Sequence, residues 1–143
     1  MKIALVGSLT FASSFKYISL ELIKRGYEIE IPPTAQKIIS GKLELKLVEE
    51  EKLKGTFSER STQDDAIRRY WKIIQKTDAI LVLNYDKNGI KNYIGGNAFL
   101  EMGFAHVLDK KIYLLNPIPE MSYTDEIKTM QPLILHHDFS KIV

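Results

Sequence analysis

Short aliphatic runs alternate along the chain with longer stretches in which apolar residues return every three or four positions. Lys2 to Val6 is such a run, closed by Gly7, the pattern of a strand covered on both faces in a parallel sheet. Phe15, Ile18, Leu22 and Ile23 then predict a helix, capped by Ser13 or Ser14 and ended by Lys24, Arg25 and Gly26. Tyr27 to Ile31 alternates as a short second strand, stopped by Pro32 and Pro33. From Thr34 to Ser61 the pattern gives no single answer. Ala35 to Ile39 suits a helical turn, and Lys42 to Lys54 fits helix or strand. Following a strand, this excursion predicts either a lid over the carboxyl edge of the sheet or a solvated surface helix.

Ser61 or Thr62 is expected to cap the next helix, with Asp64 and Asp65 in its first turn, Ile67, Tyr70, Ile73 and Ile74 on its core face and Trp71 at the rim. Ala79 to Tyr85 reads as a buried strand, Asp86 to Asn92 as a polar loop, Asn97 to Asp109 as an apolar helix and Ile112 to Asn116 as another buried strand. After Pro117-Ile118-Pro119, Ser122-x-x-Asp125 opens a helix with Tyr123, Ile127 and Met130 on one side, and Leu133 to Leu135 makes a fifth strand. Strands alternating with helices in this way predict a single doubly wound, flavodoxin-like α/β domain over residues 1–143, with a five-stranded, mainly parallel sheet.

Composition narrows the function classes. At 143 residues, 45% hydrophobic and 27% charged, the chain is long enough for one well-buried core. It has no Cys, which excludes a disulfide framework, thiol catalysis and a cysteine zinc site. The net charge of +2 is mild and the lysines are dispersed, so no nucleic-acid polymer is expected as partner. No apolar run approaches the ~20 residues of a membrane span, and MKIALVG is too short for a signal peptide, so the expectation is a cytoplasmic protein without membrane contact.

In a doubly wound sheet the ligand crevice opens where the loops after the first and third strands part. That sets Gly7, Ser8 and Thr10 opposite the segment from Asn84 to Asn97. Gly7 suits either a close ligand approach or a tight turn; Ser8 and Thr10 offer hydroxyls or simply fill a polar loop. The connection from Tyr85 to Asn97 is about twice the usual length of such loops. Its Gly95 and Gly96, just before a helix, expose amides that suit a phosphate or another anion, with Asn97 beside them. No P-loop or GxGxxG fingerprint is present. Tyr85 and Tyr93 fit either base stacking or rim packing. His136, His137 and Asp138 leave a strand on alternate sides, so no metal site is expected there.

Glu101 is the outlier, an acid among Leu100, Met102, Phe104 and Ala105. It either caps the helix or is held for chemistry. One helical turn beyond Asn97, it is placed where the helix dipole would keep it ionised, as a nucleophile or cation stabiliser requires.

Several stretches together resemble the nucleoside 2-deoxyribosyltransferase superfamily, which includes deoxynucleoside monophosphate N-glycosidases. They are Gly7-Ser8 after the first strand, Lys24-Arg25-Gly26-Tyr27-Glu28, Asp78-Ala79-Ile80-Leu81-Val82-Leu83-Asn84, and above all Leu100-Glu101-Met102-Gly103-Phe104-Ala105. The resemblance covers most of the chain outside Thr34 to Ser61. It implies that Glu101 is the nucleophile of a retaining reaction at an anomeric carbon. It also implies a nucleoside or nucleotide as small-molecule partner, no cofactor, and a homodimer, for which Tyr17 and Trp71 offer exposed aromatics. Two features depart from the family: Tyr70 stands where members often carry an acid, and Gly95 and Gly96 lie further upstream than the usual Gly-x-Gly-x-Glu. Asp86 is the remaining candidate for a general acid or a sugar contact, or is a loop aspartate solvating itself. A non-catalytic nucleotide-binding module on the same fold is the alternative. A flavin protein, which would be yellow when pure, is a third reading.

Overall fold

The computed structural model describes Met1–Val143. At its centre lie β1 (Lys2–Val6), β2 (Glu28–Glu30), β3 (Ala79–Val82), β4 (Lys111–Leu114) and β5 (Leu133–Ile134). They form one sheet in the order β2-β1-β3-β4-β5, and every neighbouring pair is parallel. The expected flavodoxin-like α/β architecture is therefore present, with the sheet parallel throughout. Ile3 to Val6 and Ala79 to Leu83 are fully buried because helices cover both faces.

Alternation along the strands divides the interior into two cores. Ile3, Leu5, Leu81, Leu83 and Tyr113 face α1 (Ala12–Lys24), which contributes Phe15, Ile18 and Leu22, and the C-terminal residues Phe139 and Ile142. Ala4, Val6, Ile80, Val82, Ile112 and Leu114 face the other way. Against them pack Tyr70 and Ile74 of α5 (Ala66–Gln75), Ala98, Met102 and Ala105 of α6 (Gly96–Val107) and Ile127 of α7 (Thr124–Thr129).

Helix starts are where the structure departs from expectation. Neither Ser13 nor Ser14 caps α1. Ser8 instead opens a 3-10 turn, Leu9–Phe11, that runs directly into the helix, with Phe11 N donating to Ser8 O at 2.9 Å. Ile23 is 53% exposed, since one residue beyond Leu22 is a rotation of about 100° away from the buried stripe. Between β2 and α5 all the regular structure of the undecided excursion is helical: α2 (Pro33–Ile39), α3 (Leu45–Lys54) and α4 (Phe57–Gln63). Ser61 and Thr62 lie inside α4, where the Thr62 hydroxyl bonds back to Ser58 O at 2.7 Å. Asp65, left-handed at φ 48°, breaks the chain before α5, so Asp64 and Asp65 precede that helix and Ile67 is 48% exposed. In the segment before α7, Thr124 rather than Ser122 makes the polar contacts, accepting from Met121 N and donating to Pro119 O, both at 2.7 Å. No helix is long and apolar enough to cross a membrane.

Candidate functional site

The strand order reverses between β1 and β3, and the loops leaving those strands part around a crevice at the carboxyl edge. Gly7 crosses β3 closely: a Cβ there would stand 3.0 Å from Leu83 O, so the first loop lies tight against the sheet only without a side chain at this position. The Ser8 hydroxyl, next in the chain, accepts a hydrogen bond from Lys87 Nζ at 2.8 Å.

The long loop after β3 is ordered by a tight turn at Asn88-Gly89. Asn88 and Gly89 are both left-handed, at φ 53° and 71°, and Lys87 and Ile90 exchange backbone hydrogen bonds of 3.0 and 2.9 Å around them. Asn-Gly is the dipeptide that such a two-residue reversal favours. The reversal brings Tyr93 back to Tyr85, N to O at 2.9 Å, and lays Lys87 Nζ 5.4 Å from the Tyr93 ring centre. Asp86 is exposed and accepts from Asn92 N at 2.9 Å, so it solvates its own loop and lines no part of the crevice.

Asn84 is fully buried and fully engaged. Its amide donates to Asn116 O and Pro117 O at 2.9 and 3.0 Å, and its oxygen accepts from Asn116 N at 2.9 Å. It ties the loops after β3 and β4 together and supplies no free group to a ligand. Thr10 likewise lines neither cavity. Tyr85 packs edge-on against Phe11 at 5.3 Å, so of the two loop tyrosines it is Tyr93 that lines the crevice. His137 Nε2 lies 3.0 Å from Asn116 Oδ1, and Asp138 caps the turn at Ser140; no three His, Asp or Glu residues converge as a metal site.

Two adjoining cavities make up the crevice. The first is polar and cationic, lined by Ser8, Lys52, Lys87, Tyr93 and the start of α6 from Gly95 to Ala98. Gly95 caps α6 with extended backbone and no side-chain hydrogen bond, and the first intrahelical bond runs from Phe99 N to Gly95 O. The amides of Gly96, Asn97 and Ala98 thus have no acceptor within the helix. Lys87 has its ammonium pKa lowered by burial. In Lys52 burial and then the charge of Lys87 act in the same direction, although the residue as a whole remains exposed. Neither lysine is marked as a site residue by the sequence: Lys52 lies in a Glu- and Lys-rich stretch like any surface helix, and Lys87 is one polar residue among several in the long loop.

The second cavity meets the first at Gly7, Leu9 and Asn97. Glu101 lies in it with Pro33, Phe57, Ser61 and Tyr70. Because α6 begins at Gly96, Glu101 stands in its second turn, beyond the reach of any capping role. Its carboxyl group makes no ion pair, and burial pushes its pKa up to about 8. This corrects the expectation that the helix dipole keeps it ionised: dehydration outweighs the dipole in the second turn, where that field has faded. Tyr70 is buried and donates to Leu5 O. Burial, reinforced by the negative charges of Glu101 and Glu30, holds its phenol well above the ordinary pKa, so its proton stays in place. Tyr70 thus lines the same cavity as Glu101.

A broader, shallower depression runs over the outer side of α5, between Ser61, Ile67, Arg68, Trp71 and Phe104. It is open, and it adjoins the Glu101 cavity at Ser61, Ala66 and Ile67. Comparison with protein-family models, with curated proteins and with solved structures finds no match to the chain.

Proposed function

We propose that the protein is an N-glycosidase or deoxyribosyltransferase-like enzyme acting on a nucleoside or nucleoside monophosphate, with Glu101 as nucleophile. The observation that carries this reading is Glu101 itself, an unpaired and half-buried carboxyl group at the switch point of the sheet, next to a cationic cavity. In the reaction, an ionised Glu101 oxygen bonds to the anomeric carbon as the glycosidic bond breaks and the base departs with the electron pair. Water, or a second base, then displaces the carboxylate with net retention. A dehydrated carboxylate suits this step, because the oxocarbenium-like transition state brings a positive charge to a group that has no other. No second carboxylate lines the cavity, and Tyr70 is tied to Leu5 O, so in this chain the departing base takes its proton from solvent.

A second reading has its own support. At pH 7 a carboxyl group with a pKa of about 8 is roughly ten to one protonated, which suits a hydrogen-bond donor to a bound nucleotide without turnover. Chromatographic measurement of free-base release from nucleosides and their 5′-monophosphates, at pH 7 and pH 9, separates the two. Release that disappears in Glu101→Ala supports the enzyme; nucleotide-induced thermal stabilisation without release supports the binding module. For a homodimer, the exposed apolar residues Ile67, Leu100 and Val107 offer an outer face on α5 and α6, with Tyr17 exposed on α1. Light scattering of the purified chain gives the mass that tests it.

A further inference from the structure

The hairpin of α3 and α4 touches both cavities, as α6 does. α3 sends Lys52 to the cationic cavity, and α4 sends Phe57 and Ser61 to the Glu101 cavity. The two helices are tied to each other: Arg60 clasps Glu51 with two hydrogen bonds of 2.8 and 2.6 Å, Lys52 Nζ lies 4.9 Å from the Phe57 ring centre, and Gly55, at φ 75°, makes the turn between them. They are held only lightly to the domain. α4 buries no residue, α3 buries Val48 alone, and Leu53 is 89% exposed. Such a hairpin opens locally at far lower cost than the sheet it covers.

The charge at its tip has no ion-pair partner. Lys52 and Lys87 reach the same cavity from segments distant in sequence, and neither makes an ion pair. Lys87 donates to the neutral Ser8 hydroxyl. The carboxylate of Glu49 exerts its field on both but lines no part of the cavity. Two ammonium groups, a hydroxyl and three free amides suit a tetrahedral dianion.

We propose that the cationic cavity is a phosphate-monoester subsite whose occupant draws in Lys52 and thereby fixes the α3–α4 hairpin, with Phe57 and Ser61, over Glu101. The phosphate is then both the group selected and the force that closes the reaction chamber, and Lys52 is a specificity-determining residue contributed by the excursion. The role in reaction rests on the glycosidase reading; anion binding and closure do not require turnover.

Hydrogen exchange of the full chain, with and without inorganic phosphate, tests this directly. At phosphate concentrations about ten times its dissociation constant, opening of residues 45–63 slows about tenfold. That protection disappears in Lys52→Ala and persists in Lys54→Ala, an exposed lysine on the same helix. No phosphate-dependent change in exchange or melting temperature in the wild type overturns the proposal, as does protection that survives Lys52→Ala. Failure of the glycosidase reading looks different: no base is released, while the exchange response remains.

Discussion

α6 and the α3–α4 hairpin both line the crevice, yet they are held in opposite ways. α6 is seated on the sheet by Ala98, Met102 and Ala105, all buried, whereas the hairpin has Val48 and an ion pair between its own helices. On the proposed reading the nucleophile sits on the firmly packed element, and Lys52, one of the two lysines at the anion subsite, sits on the lightly held one. A nucleophile must be held to a fraction of an ångström, which core packing supplies. A lid must open for substrate to enter, which core packing would prevent.

The largest effect is expected at Glu101. If the protein is the proposed glycosidase, Glu101→Ala reduces base release by about a thousandfold or more while leaving the circular dichroism spectrum unchanged, since no other carboxylate lines the cavity. Met102→Ala, one residue along, tests the seat rather than the chemistry. It removes a fully buried side chain, and denaturant titration should show a loss of about 2–4 kcal/mol. Val48→Ala in the hairpin should cost only about 1–2 kcal/mol in the same measurement.

The protonation of Glu101 sharpens the contrast between function and stability. If ionised Glu101 is the nucleophile, kcat/KM rises with pH and levels off above about 8; a profile that falls through the same value would make it a proton donor. Stability runs the other way. The folded chain keeps a proton on Glu101 that the unfolded chain loses near the ordinary value of 4.5, so this contribution is complete below pH 4.5 and is lost as pH rises to about 8. Glu101→Gln should therefore be more stable than the wild type at pH 9 by about 1–3 kcal/mol, read from melting curves, with part of the loss screened by solvent in the crevice. The smallest effect is expected at the hairpin clasp: Glu51→Gln should leave global stability almost unchanged and speed hydrogen exchange selectively across residues 45–63.

Much of this was legible in the chain. The aliphatic runs at Ile3 to Val6 and Ala79 to Leu83 marked the central strands, and Gly95-Gly96 marked the start of α6 within a residue. The errors fell at short-range choices between equivalent caps. Ser13, Ser14, Ser61 and Thr62 are all good N-cap residues, but a 3-10 turn from Ser8 and a left-handed Asp65 settled where α1 and α5 begin. Asn84 read as a site residue because it ends a strand at the crevice. Its role as a clasp depends on Asn116, 32 positions away.

The sequence by itself determined the alternation of strands and helices, the parallel sheet and the singularity of Glu101, because those follow from periodicity and local hydrogen bonding within a few residues. Tertiary structure alone decided the protonation of Glu101, the meeting of Lys52 with Lys87 and the engagement of Asn84. Each of these depends on which distant groups exclude water or supply charge around an atom, and dehydration and Coulomb fields act through space without regard to position in the chain.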